Sequence, residues 1–192
     1  MLKGILVSSL LLLGAFAQAT SGQTLATSMF DQVKQSIMAE PESGPNFKVG
    51  DSASYNLNAG FIKGSMKMTV TKAEASEVVI HQDLDMGFLG KQSCDATIDM
   101  TNGSYKKLVC NGQDQQIPTQ GDLELVDMKE DKITVPAGTF VCVYIKALDK
   151  KKNETIEQWA NPKLIPVSGM IKSIAPSQLG PVTIELTSFI KN

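Results

Sequence analysis

The sequence predicts a mainly β (α+β) fold, an antiparallel curved sheet or half-open barrel of about ten strands with one N-terminal helix packed across its concave face. Three observations predict this fold. Residues 24–40 carry apolar side chains at helical spacing. The chain after residue 52 alternates between apolar and polar residues, and turns rich in glycine and asparagine divide it into short segments.

The first nineteen residues have the three parts of a secretory signal peptide. Lys3 gives the positive start, residues 5–16 form an apolar run, and residues 17–19 read Ala-Gln-Ala, the small-x-small pattern before a cleavage site. The apolar run is shorter than the roughly 20 residues that cross a bilayer, so we expect no transmembrane segment. Residues 20–192 then form a single β-rich domain in the periplasm or outside the cell.

The one predicted helix spans residues 24–40. Leu25, Met29, Val33 and Ile37 recur every four residues and therefore lie on one face, and Pro41 ends the pattern. We expect this apolar stripe to pack on the rest of the domain.

The remainder of the chain has the two-residue period of strands with one wet face. Ala53, Tyr55 and Leu57 are apolar and the residues between them are polar. Short turns join only antiparallel neighbours, so the segments predict an antiparallel meander. The same period recurs at Met66, Met68 and Val70, and at Val78, Ile80, Leu84 and Met86.

The composition excludes several classes of function. All 18 basic residues are lysines and the net charge is −2, which argues against nucleic acid as a partner. The chain has one histidine, and no metal, nucleotide or nucleophile motif occurs in it. We therefore expect no catalytic residues, no metal and no cofactor.

Three stretches resemble exported bacterial β proteins of uncharacterised type: Phe47 to Asp51, Val135 to Phe140 with Cys142, and Trp159 before Pro166 to Gly169. Those proteins are similar in architecture to the periplasmic lipoprotein-carrier and lipoprotein-receptor (LolA/LolB-like) fold. The resemblance implies a half-open barrel around an N-terminal helix, with an apolar cavity suited to an acyl chain or a lipidated protein. Those carriers use a functional arginine, and this chain has none.

Cys94 and Cys110 flank a turn that contains Gly103. If this is a type I turn with Gly103 in the left-handed conformation, the two cysteines lie opposite each other and a cross-strand disulfide can form. If Asn-Gly instead forms a two-residue turn, Met100 pairs with Tyr105 and the cysteines point to opposite faces. The sequence leaves both arrangements open.

Three other features have ordinary structural interpretations. His81, Asp83 and Asp85 share one strand face and have the chemistry of a cation site, but polar residues on a wet face are usual. Residues 150–152 are three lysines, which suit a solvated turn better than a membrane contact. Cys142 is expected to be buried as a small apolar residue.

Methionine supplies much of the predicted apolar face. Because methionine is flexible and polarizable, it serves surfaces that accept varied apolar ligands, and it also fills cores. We therefore predict a non-enzymatic protein that binds an apolar or lipidated ligand; the alternative is a scaffolding module of the cell envelope with a solid core. The candidate ligand-facing residues are Met29, Val33, Ile37, Met66, Met68, Met86 and Met100.

Overall fold

The computed structural model describes residues 46–117, 123–177 and 180–192, and eleven strands within them form one antiparallel sheet. The sheet confirms the predicted mainly β fold and its strand number. The predicted signal peptide and the predicted helix of residues 24–40 lie outside the described residues. The strands are β1 (Ser52–Ala59), β2 (Ile62–Ala73), β3 (Glu77–Asp85), β4 (Lys91–Asp99), β5 (Tyr105–Cys110), β6 (Gln113–Asp114), β7 (Leu123–Val135), β8 (Gly138–Asp149), β9 (Glu154–Ala160), β10 (Met170–Ala175) and β11 (Val182–Ile190).

The sheet consists of two meanders joined by the first and last strands. The strand order is β6-β5-β4-β3-β2-β1-β11-β10-β9-β8-β7. Consecutive strands are therefore neighbours except β6 and β7, and the pairing of β1 with β11 joins the two halves of the described chain. β6 and β7 stand at the ends of this order, so the sheet is open.

The sheet curls so that the tip of the β7–β8 hairpin reaches β11, although β8, β9 and β10 separate the two in the strand order. The backbone N–H of Ala137, in the hairpin turn, donates to the carbonyl oxygen of Leu186 at 3.1 Å. The rings of Phe140 and Phe189 lie 6.3 Å apart at the same place. Leu186 is buried opposite Tyr55, so the apolar face is the concave one.

The alternating pattern separates a buried face from a polar face, as the sequence predicts. On β1, Ala53, Tyr55 and Leu57 are buried whereas Asn56 is exposed. The paired strands keep the same phase, since Ala53 lies opposite Met68 on β2. Burial of these side chains from every strand except short β6 forms one contiguous core.

The β4–β5 hairpin has the first of the two predicted arrangements. Gly103 has φ +66°, Cys94 lies opposite Cys110, and the two are joined by a disulfide. The alternative pairing of Met100 with Tyr105 is wrong, because a register shift places Tyr105 opposite Ile98. A disulfide is consistent with export, since disulfides persist in oxidising compartments.

The connection between β9 and β10 folds onto the buried side of the sheet instead of running over the surface. Ile165, Val167 and Ser168 in this connection are all buried. The turn requires two left-handed residues, Val167 at φ +70° and Gly169 at φ +69°. Left-handed conformations are costly for a β-branched residue, so the surrounding packing holds this loop in place.

Candidate functional site

The predicted ligand-facing methionines of the sheet lie on or beside its apolar face. Met66 and Met68 are two residues apart on β2 and both are buried, and Met86, just after β3, is buried as well. Met100 is partly buried at the β4–β5 turn and packs against the same core. The structure therefore brings four of the candidates to one apolar cluster.

The other three candidates, Met29, Val33 and Ile37, belong to the predicted helix and lie outside the described residues. Their place opposite the concave face stays a prediction.

Three glutamine side chains are buried among these apolar residues. Gln82 and Gln92 lie on the neighbouring strands β3 and β4, and Gln158 lies on β9 in the other half of the sheet. Within the part of the chain that the structure describes, none of the three amide oxygens has a hydrogen-bond partner. The Nε2 of Gln82 donates to the sulfur of Met66 at 3.2 Å, and a thioether is a weak acceptor. Each buried oxygen without a partner lowers the stability of the fold by about 1–3 kcal/mol. A hydrogen-bond donor that reached these oxygens would recover this free energy.

Tyr55 ties the buried β9–β10 connection to the centre of the sheet. Its hydroxyl lies 2.7 Å from Oγ of Ser168 and donates to the carbonyl oxygen of Met170 at 3.2 Å. The backbone N–H of Met170 donates to the same Ser168 oxygen at 3.3 Å. Burial raises the pKa of Tyr55 well above its ordinary value, although the bond to Ser168 opposes this shift. The phenol therefore stays neutral, and its hydroxyl holds the β9–β10 connection against β1 by hydrogen bonds.

The single histidine forms a polar cluster on the outer face. Nδ1 of His81 lies 2.8 Å from Asp95 Oδ1, and Nε2 lies 3.2 Å from Asp83 Oδ1 and 3.3 Å from Ser93 Oγ. Asp85 does not join them, since it pairs with Lys91 at 2.9 Å. The cross-strand register places Asp95 directly opposite His81, which sequence spacing alone does not reveal.

Desolvation lowers the pKa of His81, but the hydrogen bond to Asp95 and the charges of Asp83 and Asp95 outweigh it. The pKa of the ring is therefore raised from its ordinary value. In the part of the chain that the structure describes, no group of three histidine, cysteine or acidic side chains is placed to hold a metal ion.

A groove of about 590 Å³ crosses the outer face beside this cluster. Lys67, Asp83, Lys91 and Asn111 line it together with serine and threonine side chains. Tyr55, Met66, Leu84 and Gln92 also line the groove, so it combines exposed charged groups with residues of the buried face.

Cys142 and Trp159 are structural. Cys142 is buried, as predicted, and forms no disulfide within the described residues; burial raises the pKa of its thiol. The indole Nε1 of Trp159 donates to Asp131 Oδ2 at 2.8 Å, and its ring lies 5.0 Å from that of Tyr144. The bond from Trp159 also lowers the pKa of Asp131. These contacts connect β7, β8 and β9.

The three lysines of residues 150–152 lie in the β8–β9 turn, as predicted. Asp149 is buried, and its Oδ1 accepts the backbone N–H groups of Lys151 at 2.9 Å and Lys152 at 3.2 Å. The turn is thus held from inside while its lysine side chains point to solvent.

Sequence reasoning missed the buried glutamines. The signal was present, because Gln82 occupies the apolar phase between Ile80 and Leu84. A polar residue in phase with the core is the kind of exception that marks a special position.

Within the described residues, no helix has the length and apolar character needed to cross a membrane.

Comparison with known proteins supports the fold. The hypothetical protein CT021 of Chlamydia trachomatis aligns with a TM-score of 0.51 at 8% identity, over 80% of this chain and 89% of that one. At that identity the likeness concerns the fold alone. Neither a protein-family model nor a curated protein matches the chain.

Two further structures align less closely. A Bacteroides fragilis protein with a YmcC-like fold has a TM-score of 0.43 and 12% identity, over 75% of this chain and 97% of that one. MucB has a TM-score of 0.44 and 10% identity, and the alignment covers 86% of this chain but only 58% of MucB. These alignments do not single out the lipoprotein-carrier family that the sequence resembles.

Proposed function

We propose that this protein is a non-enzymatic exported protein that binds an apolar or lipidated ligand against the concave face of its sheet. The observation that carries the proposal is the pair of buried oxygens of Gln82 and Gln92, on adjacent strands beside the methionines, which have no hydrogen-bond partner within the described residues. A ligand with an acyl chain and a hydroxyl or amide donor at its head would contact the methionines and satisfy these oxygens.

The methionines support the same proposal. Met66, Met68 and Met86 are unbranched and have several rotatable bonds, so they adapt to chains of different shape. A leucine or isoleucine at these places would hold one fixed surface. The methionines therefore favour a ligand class with varied acyl chains over a single rigid compound.

The outer face supports a non-enzymatic role. Ser93, His81 and Asp95 are arranged in the order of a hydrolase triad, but Asp83 also contacts Nε2 of the histidine. A carboxylate there favours the protonated ring, which is unable to take the proton of Ser93. A fluorophosphonate probe should therefore leave Ser93 unlabelled, and labelling of that serine would contradict the non-enzymatic proposal.

Two acyl probes test the proposed ligand site. We expect Gln82→Leu combined with Gln92→Leu to weaken binding of a fluorescent monoacylglycerol about five- to tenfold, because its hydroxyl donors lose their acceptors. Binding of the matching acyl methyl ester, which has no donor, should stay unchanged. Gln113→Leu is the control, since Gln113 is exposed on β6. Equal loss of both probes, or no change in either, would contradict the role of the glutamines.

The second candidate is a cell-envelope scaffolding module with a solid core. The observation in its favour is that Met66, Met68 and Met86 are at most 4% exposed, as expected of core residues. The buried β9–β10 connection also occupies part of the concave side. If neither probe binds wild-type protein purified from its own host, the scaffold becomes the better account.

A further inference from the structure

Two phenylalanine rings are stacked in solvent at neighbouring turns of the sheet. Phe61, in the β1–β2 turn, is 75% exposed, and Phe88, in the β3–β4 turn, is 74% exposed. Their ring centroids are 6.2 Å apart with an interplanar angle of 10°. Leu89, the next residue, is 44% exposed. Large apolar side chains usually bury most of their surface, so a cluster of three at one tip indicates a surface that something covers.

The three-lysine turn lies at the same end of the sheet. An even number of antiparallel pairings separates β1, β3 and β8 in the strand order, so these strands run in the same direction. Their C-terminal ends, at Ala59, Asp85 and Asp149, therefore share one end of the sheet. The aromatic pair follows the first two strands, and residues 150–152 follow the third.

This end carries exposed lysines that make no ion pair within the described residues. Lys91 pairs with Asp85 and Lys150 pairs with Glu124. At this end of the described chain, the exposed lysines that make no ion pair are Lys63, Lys151 and Lys152. We define the turn end as Phe61, Lys63, Phe88, Leu89, Lys151 and Lys152.

The size and charge of the turn end indicate what covers it. The two phenylalanines leave about 300 Å² of ring surface in water. A stable protein interface needs about 800 Å² from each partner, so the aromatic pair alone supplies less than half of one. A bilayer requires no matching surface. It accepts aromatic and leucine side chains at its interface and, when anionic, attracts lysines beside them.

We propose that the turn end docks on an anionic lipid bilayer. Phe61, Phe88 and Leu89 enter the boundary between headgroups and acyl chains, while Lys63, Lys151 and Lys152 contact the lipid phosphates. This inference goes beyond ligand binding on the concave face and does not depend on it, because the turn end consists of exposed turns.

Co-sedimentation with vesicles tests the aromatic contribution. Wild-type protein should bind vesicles of equal parts phosphatidylglycerol and phosphatidylcholine, and bind pure phosphatidylcholine more weakly. Phe61→Ser combined with Phe88→Ser should weaken the first interaction at least about tenfold. Val141→Ser is the matched control, since Val141 is 65% exposed but lies away from these turns. All variants share the same N-terminal segment, so differences between them report on the turn end.

The lysines are tested with paired substitutions. Lys151→Gln with Lys152→Gln should weaken binding to the anionic vesicles roughly tenfold and leave binding to phosphatidylcholine unchanged. Lys48→Gln with Lys132→Gln is the control, because these exposed lysines lie toward the opposite end of the sheet. Equal vesicle binding by all variants overturns the proposal. The proposal is also overturned if no variant binds vesicles and the wild-type protein self-associates in sedimentation velocity whereas the phenylalanine variant does not. That result would assign the turn end to contacts between copies of the chain.

Discussion

The two faces of β3 contain different kinds of contact. Toward the concave side, Ile80 and Leu84 are at most 2% exposed, and burying each such side chain stabilises the fold by about 1.5–3 kcal/mol. Toward the outer side, His81 and Asp83 take part in exposed ion pairs, which are worth about 0–1 kcal/mol each. The side chains of the concave face therefore provide most of the stability of the fold. Substitutions on the outer face should change that stability little.

A buried charge gives the largest expected contrast between the faces. We expect Ile80→Asp to destabilise the protein by about 4 kcal/mol or more, because Ile80 is fully buried and the carboxylate would have no partner. Val79→Asp is the control on the same strand, facing outward opposite Lys72, and should change stability by less than about 1 kcal/mol. Urea unfolding measures both, and similar losses would contradict the division between faces.

The disulfide gives the next largest effect. Cys94 and Cys110 are separated by 16 residues, and a loop of that size corresponds to about 3 kcal/mol of chain entropy. Cys94→Ser with Cys110→Ser should lower the melting temperature, and a reductant should lower it in the wild type but not in this variant. If a reductant also lowered the melting temperature of the variant, its effect on the wild type would not be due to this disulfide.

The buried β9–β10 connection predicts a difference between two glycines. A Cβ at Gly169 would lie 2.9 Å from the Cα of Pro162, whereas one at Gly112 would meet nothing within 4 Å. Both have positive φ, so each change to alanine costs about 1 kcal/mol in backbone strain. Gly169→Ala should cost about 1–2 kcal/mol more, because Pro162 has to move. Equal unfolding midpoints would mean that the connection is loosely packed.

The smallest effect belongs to the outer histidine. The pKa of His81 is raised in the folded protein. The stability that the protonated ring contributes is therefore fully present at a pH below the ordinary histidine pKa, and it is lost as the pH rises through the raised pKa of the folded state. Stability should fall by well under about 1 kcal/mol between about pH 5.5 and about pH 8.5, because the site is solvated. His81→Gln should remove this component of the pH dependence. An unchanged profile in the variant would assign it to other groups.

The sequence was sufficient to predict the strands because burial on one face imposes a two-residue period that is visible in residues such as Tyr55 and Leu57. The hairpin at Gly103 was predictable only as two alternatives, since the difference between them is one residue of register. The pairing of β1 with β11 joins distant parts of the chain and leaves no local signal.

The candidate site was predictable to a smaller extent. The methionines of β2 follow the strand period and were assigned to the apolar face correctly. The connection that buries Ile165 and Val167 has no period, because its burial depends on tertiary packing alone. Spacing along β3 pointed to Asp83, which does contact His81, and to Asp85, which does not; the other partner, Asp95, lies on β4 and is brought close only by the cross-strand register.

Photo-crosslinking tests the central claim, that the concave face receives an acyl chain. A fatty acid with a diazirine in its chain would be incubated with wild-type protein, irradiated, and the labelled residues mapped by peptide mass spectrometry. We expect label at Met66, Met68 or Met86, with competition by unlabelled monoacylglycerol. Label confined to outer-face residues such as Lys67 and Asp83, or no label at all, would contradict the claim.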